Sequence, residues 1–371
     1  MDFTRGEAEL AISALADQVL SAAGRDGAAG PGGQAGPGGQ GADLDAATWK
    51  ELAQAGLLAI ALPPALGGDG LGVTEVSALL TQVGRHAARL PALATLALGV
   101  LPVTRLADEQ MQGQLLAGVA TGEAILTAAI REQSDPMPPA PVTVADVSAG
   151  TGTGTVSGVK LGVPYAAAAS QILVPASLSG GGTAVVAVQP DAPGLTCQRT
   201  HSSSGLPEYT IRLDRVPFRH VLPGDSVAEL YRLAVAGACC VADGAVAAAL
   251  DLTTEYIRSR EQFGRPLATF QAVAQQIADV YVTARVLHLA ALSACWRLDS
   301  GLDAANDVDV AGYWLAEHGP IALRTCHHLH GGIGMDVTYP LPRFSALITD
   351  LVSLVGGAAY RLDLLGAREG A

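Results

Sequence analysis

The periodicity of this chain changes twice, and that change limits its fold more than any single motif. Up to about residue 122 the apolar residues recur mainly at helical spacing. Between about Glu123 and Val221 short β-favouring runs take over, among them TVSGVKLGV, QILVPAS, TAVVAV and YTIRLDRVPF, and after Asp225 long helical patterns return. The expectation is an α+β multidomain chain. Residues 1–122 form an N-terminal helical domain, 123–225 a middle β-barrel or sandwich domain, and 226–371 a C-terminal four-helix bundle.

Within the first part, helical spacing from Phe3 to Leu20 gives way to a Gly/Pro-rich stretch, residues 23–42, expected to be a flexible loop. Helix resumes at Asp45, stops at PPALGGDGLG, and returns from Val73 through Leu116 with breaks expected near Pro91 and Pro102. Gly180-Gly181-Gly182 lies between two strand candidates and reads as a hairpin loop. In the last part, Val246, Leu250, Thr253 and Ile257 share one helical face. Phe270, Val273, Ile277, Val280, Ala284, Leu287, Ala291 and Cys295 share another, with further helices expected over 307–329 and 345–365.

Composition narrows the function classes. At 49% apolar and 15% charged the 371 residues can build a core, and the formal charge of −13 repels phosphate backbones and anionic headgroups. Neither nucleic acid nor a membrane surface is an expected partner. Five cysteines (Cys197, Cys239, Cys240, Cys295, Cys326) show no CxxC spacing, so reduced thiols in the cytoplasm are expected. The acidic start MDFTRGEAEL lacks the features of an export signal, and the Ala-, Gly- and Cys-rich run 233–250 contains Asp243, so no membrane span is expected.

Two segments carry candidate chemistry. Arg258-Ser259-Arg260-Glu261-Gln262-Phe263-Gly264-Arg265-Pro266 interrupts two helices, and Gln271 follows Arg260 by 11 positions. Arginine offers a planar fork of donors to phosphate, and a phenyl ring can lie against a flat ligand. A solvated inter-helix turn is the plainer account of the same residues. Downstream, His328-Leu329-His330-Gly331-Gly332-Ile333-Gly334 ends a helix in glycines whose backbone a phosphate could approach, or simply marks a glycine helix stop. A metal site from Cys326, His327, His328 and His330 is disfavoured because neighbours on a helix diverge by ~100° each. His201, His220 and His288 form no constellation, and Cys239-Cys240 reads as small packing residues.

Taken together these segments resemble the acyl-CoA dehydrogenase family of flavoproteins. The resemblance covers nearly the whole chain and includes Trp49 to Leu58, Leu62-Pro63 and Gly67-Gly68 near the start, Phe270-Gln271 in the bundle, and His328 57 positions after Gln271. It implies FAD as cofactor, with Arg260, Phe263, Gln271, Gly331 and Gly332 gripping its adenine and pyrophosphate end across a subunit interface. His328 stands where the family usually has Gln, which alters the reach of that contact.

The resemblance also locates a gap. Family members remove a proton α to a thioester carbonyl with a glutamate in one of two places, and these fall on Tyr231 and Val355. Neither is a usual base, since a phenol holds its proton to a pKa of ~10 and an isopropyl group cannot titrate. Residues 126–135, LTAAIREQSD, also depart from the Thr-Glu-Pro-containing loop that normally faces flavin and substrate. Glu229 and Glu255 are the fallback bases, although Glu229 lies ~200° around a helix from Tyr231.

The expected function is therefore a subunit of an FAD-dependent acyl-CoA dehydrogenase that is inactive alone. It would lend FAD contacts to a related chain carrying the catalytic Glu, in an α2β2 assembly resembling the actinobacterial enzymes of steroid side-chain thioesters. Acyl-CoA would bind at the partner's site, and an electron-transfer flavoprotein or similar protein would accept the electrons. The rival expectations are an active homo-oligomeric dehydrogenase with a relocated Glu and a redox-inactive scaffold or acyl-CoA-binding protein.

Overall fold

A computed structural model describes residues 6–27, 44–148 and 152–369. They group into two compact units, one of Gly6–Leu79 with Arg89–Ala234 and one of Leu80–Ala88 with Val235–Ala371. The order of elements is helical, then strand-rich, then helical, as the periodicity predicts.

Helix α1 (Glu7–Gly27) runs into the segment expected to be a loop from residue 23, because extending an existing helix is far easier than nucleating one. The rest of that segment up to residue 42 lies outside the described residues. In α2 (Ala46–Gln54) the Asp45 side chain caps the N-terminus, accepting from the Thr48 amide at 3.1 Å and the Thr48 hydroxyl at 2.6 Å. Trp49 is buried and donates its indole N–H to the Gly122 carbonyl at 3.0 Å. After α3 (Val73–Arg85), a wide π-helical stretch over Leu93–Val100 continues without a gap into α4 (Leu101–Leu106), followed by α5 (Glu109–Leu115). The break expected near Pro102 does not occur. That residue sits in the first turn of α4, where the hydrogen-bond ladder changes spacing and a missing donor is tolerated.

The strands are β1 (Leu126–Ala128), β2 (Val144–Val147), β3 (Gly154–Pro164), β4 (Gln171–Leu178), β5 (Thr183–Val188), β6 (Leu195–Thr200), β7 (Glu208–Phe218) and β8 (His220–Leu222). They form one mixed sheet in the order β6-β7-β3-β2-β4-β5-β8, with β1 paired parallel to β4. The triglycine loop joins β4 to β5 as an antiparallel hairpin, in register from Ser177 opposite Thr183. Inward residues such as Val156, Ile172, Val186, Ile211 and Phe218 build the core beneath the sheet. Lys160 is two alternations beyond Val156, so it too points inward, flanked by register shifts on either side in the β3–β7 pairing.

The last part holds α6 (Ser226–Ser259), a two-stranded hairpin of β9 (Glu261–Gln262) and β10 (Arg265–Pro266), then α7 (Gln271–Asp299) and α8 (Ala305–His330). The single helix expected over 345–365 is two, α9 (Leu341–Leu354) and α10 (Ala358–Glu369). Gly356 and Gly357 divide them, with φ of 86° and 84°, in a left-handed turn that stops α9. Three helical stretches, α6, α7 and Leu341–Arg368, are long and apolar enough to cross a membrane by composition. The apolar window of α6 is 83% buried in the fold, whereas that of α7 is only 28% buried.

Candidate cofactor and catalytic site

Arg260 follows the end of α6, its amide bonded to the Tyr256 carbonyl at 2.8 Å. The next residues turn back as the β9–β10 hairpin, with Gln262 opposite Arg265. Its two central residues, Phe263 and Gly264, have φ of 53° and 77°, the geometry of a tight two-residue hairpin in which Asn or Gly is the unstrained choice. Phe263 is nonetheless 92% exposed. Its ring meets Phe270 edge-on at 6.2 Å, and the Arg265 guanidinium lies 4.1 Å from the centre of the Phe270 ring. Phe270 directly precedes Gln271, the first residue of α7, so Arg260, Phe263 and Gln271 sit on one continuous, solvent-facing segment.

The second segment is the C-terminus of α8. His328 is exposed, and so are Gly331 and Gly332. The amide of Gly331 turns back to the carbonyls of His327 and His328, so that donor is spent within the chain and is not one that a phosphate could use. A Cβ added at Gly332 would meet nothing within 4 Å among the described residues, and φ there is not left-handed, so none of them requires glycine. The two segments are joined underneath. Tyr256, one turn before Arg260, stacks on the ring of His330 with centroids 4.5 Å apart and planes 19° from parallel.

The positions expected to lack a base are occupied by structural side chains. Tyr231, on the first turns of α6, is buried and donates its phenol O–H to the Pro138 carbonyl at 3.1 Å. Tyr231→Phe is expected to cost about 1 kcal/mol in urea unfolding, the net worth of one such bond. Val355 follows α9 and is wholly buried. Its carbonyl accepts from Arg361 Nε at 2.7 Å, while Arg361 Nη1 bonds Asp309 Oδ1 at 2.7 Å. Arg368 lies 2.5 Å from the other oxygen of Asp309.

Of the fallback carboxylates, Glu229 is ion-paired with Arg105 at 2.7 Å and Arg232 at 3.6 Å. Glu255 is exposed on the last turns of α6, in a shallow cleft lined by Asp251, Thr254, Arg258 and Ser259.

The stretch 126–135 holds a carboxylate whose role the sequence reading missed. Glu132 is buried and accepts from the Val142 amide at 2.6 Å, the Thr143 amide and hydroxyl at 3.0 and 2.6 Å, and Lys160 Nζ at 2.8 Å. Burial pushes its pKa up, but the Lys160 and Thr143 contacts outweigh it and hold the carboxyl below its ordinary value. Burial dominates at Lys160, whose pKa is lowered to about 8. The one sequence signal for this pair was a lysine at an inward position of β3.

The cysteines pack as small apolar groups. Cys239, Cys240, Cys295 and Cys326 are buried, and Cys240 and Cys295 Sγ atoms are 3.4 Å apart. Burial raises the Cys239 and Cys326 thiols, Cys326 to about 11. Among the described residues no group of three or more His, Cys, Asp or Glu side chains could hold a metal ion.

Comparison with known proteins accords with this architecture. Residues 39–123 match the acyl-CoA dehydrogenase N-terminal domain and residues 229–363 the acyl-CoA dehydrogenase C-terminal domain. The chain is 47% identical over 323 residues to acyl-CoA dehydrogenase FadE28 of Mycobacterium tuberculosis, covering 86% of this chain and 92% of that one. Among solved structures, a variant of the Tcur3481–Tcur3483 steroid acyl-CoA dehydrogenase superposes with a TM-score of 0.89 at 33% identity, over 99% of both chains. The ChsE4–ChsE5 complex from M. tuberculosis gives a TM-score of 0.88 at 30% identity, over 100% of this chain and 99% of that one. The chain belongs to the acyl-CoA dehydrogenase family.

Proposed function

We propose that this chain is a base-less subunit of a heteromeric, FAD-dependent acyl-CoA dehydrogenase, which holds the adenine and pyrophosphate end of an FAD whose flavin works in a related partner chain. The observation that carries this reading is the contrast between the two halves of the site. At the expected base positions, one phenol is committed to the Pro138 carbonyl and one valine is sealed in the core. At the expected cofactor positions, Arg260, Phe263, Gln271, His328 and Gly332 all face solvent.

The exposed residues fit a dinucleotide tail. Phe263 occupies a left-handed turn position and buries almost none of its ring, so neither backbone preference nor core packing accounts for it, whereas a flat heterocycle would. Arg260 would meet pyrophosphate oxygens with charge-assisted hydrogen bonds, Gln271 would donate from the start of α7, and Gly332 would allow close approach where nothing else needs it. FAD, when bound, supplies the hydride acceptor for α,β-desaturation. The proton would be taken by the partner's glutamate, since Glu229 is held by two guanidinium groups and Glu255 lies in a shallow surface cleft.

A partner also fits the surface. Tyr281, Val282 and Leu289 on α7 are 56%, 56% and 41% exposed, on a helix apolar enough to need cover. Because the Tcur3481–Tcur3483 neighbour is a steroid acyl-CoA dehydrogenase, the substrate we propose is a CoA thioester on a steroid side chain, bound at the partner's site. An electron-transfer flavoprotein or similar protein would take the electrons, and the assembly would be cytoplasmic and α2β2.

Expressed alone, the chain should purify without flavin and without turnover. Co-expressed with a related chain that has Glu immediately before the equivalent of Arg232, it should co-purify at equal stoichiometry, show flavin absorbance and oxidise acyl-CoA. Arg260→Ala in that complex should weaken FAD binding about 10- to 100-fold, as expected for a hydrogen bond to a charged group. Turnover by the chain alone would establish the homo-oligomeric reading instead, and a flavin-free complex would establish a scaffold.

A further inference from the structure

We propose that His330 is a positioning residue that sets the spacing between the Arg260–Gly264 hairpin and the Gly331–Gly332 turn, by clamping the last turn of α6 to the last turn of α8. The inference rests on the preceding reading, in which both segments touch one dinucleotide.

His330 is 3% exposed, which is unusual for a side chain beside a surface glycine turn. Its Nδ1 is 2.8 Å from the Cys326 carbonyl, a contact that requires the proton on Nδ1. Burial, the largest influence, lowers its pKa, so the ring is neutral and Nε2 carries a bare lone pair. That Nε2 is buried and has no hydrogen-bond partner among the described residues. An orphaned acceptor is costly, and a leucine or phenylalanine would fill the same volume without it. Packing alone therefore does not explain an imidazole here.

What the imidazole adds is two fixed orientations. The Nδ1–H bond to a carbonyl four residues earlier sets the ring's tilt on α8, and that tilt lays it flat on Tyr256 at 4.5 Å and 19°. Tyr339 meets the same ring edge-on, at 5.3 Å and 60°. The ring thus contacts Tyr256 on α6 and Tyr339 in the segment before α9. The consequences reach both segments. Tyr256 lies one helical turn before Arg260 and its carbonyl accepts the Arg260 amide, while His330 is bonded directly to Gly331. A Cβ on Gly334 would come within 2.9 Å of His330 Cβ, so the glycine turn folds tightly over this residue. A shift of the stack would move the guanidinium and the glycine turn apart, and a ligand spanning them would lose one of its two anchors.

The test uses the chain co-purified with its partner, stripped of flavin, with FAD affinity measured by titration and folding checked by the thermal midpoint of the flavin-free complex. His330→Ala and Tyr256→Leu should each weaken FAD binding roughly three- to tenfold, the range of one aromatic pair, and the double variant should be no worse than either single one. Tyr256→Phe keeps the stack and should stay within about twofold of the parent, whereas His330→Phe, which loses the Nδ1–H bond to the Cys326 carbonyl, should weaken binding much as His330→Ala does. If Arg260→Ala weakens binding while Tyr256→Leu and His330→Ala do not, the clamp is refuted and the cofactor reading stands. If none of the three changes affinity, the cofactor reading itself fails. Parent-like binding by His330→Phe would show that a ring of that volume suffices without the Nδ1–H bond, and would also overturn the clamp. Should His330→Ala not fold, the two Tyr256 variants decide the question alone.

Discussion

Lys160→Met is expected to destabilise the chain by about 3–5 kcal/mol, because it leaves the Glu132 carboxylate charged and buried without its cation. Lys160 has no solvent exposure and Glu132 is 6% exposed, so neither can turn to water when its partner is lost. Glu132→Gln should cost a similar amount by stranding the ammonium. The double variant should recover part of the loss, since no bare charge remains, although the Gln amide has a single acceptor oxygen and can replace only one of the two carboxylate oxygens that take the Val142 and Thr143 amides. Urea unfolding of the four proteins gives the cycle.

The pH dependence of the same pair has a definite sign. Lys160 sits at about 8 in the fold, below its ordinary 10.5, so between those values the unfolded chain holds a proton that the folded chain has released. Stability should therefore rise with pH across that window, and the rise should vanish in Lys160→Met. Glu132 is lowered, so its contribution is lost as pH falls below about 4.5. Single variants that cost less than about 1 kcal/mol would mean that the pair is solvated in the working protein.

Much of this organisation is legible in the sequence because it rests on local rules. The β4–β5 hairpin follows from three glycines between two β-branched runs, and the end of α8 from glycine at 331. What was not legible depends on partners far along the chain. The inward lysine of β3 is visible as an oddity of alternation, but its carboxylate comes from 28 residues upstream, in a stretch read only for what it lacked. The clamp at His330 needs Tyr256, and sequence separation hides a ring stack completely. The split between α9 and α10 was recoverable from Gly356-Gly357, but apolar periodicity on both sides carried the helix across it. Cofactor positions were placed by resemblance, and the structure brings them to two exposed segments joined by one stack.

A glutamate placed at Val355 should not give this chain turnover of its own. Val355→Glu is expected to leave the isolated protein without turnover and to cost about 3 kcal/mol or more, because the position has no exposure in which a carboxylate could be solvated. Two responses are open to the new group. Burial can raise its pKa until it is neutral and useless as a proton acceptor, or it can pair with the nearby guanidinium of Arg361. That guanidinium is already divided between the Val355 carbonyl and Asp309, so pairing would strip Asp309 of one of its two cations and unfasten the turn. Here the turn is held by its backbone to a buried ion pair, a use that tolerates valine and resists a charge. The thermal midpoint, together with flavin bleaching on addition of acyl-CoA, measures both halves of the expectation. A folded, FAD-loaded Val355→Glu chain that bleaches by itself would show that a single carboxylate was all the site had lost.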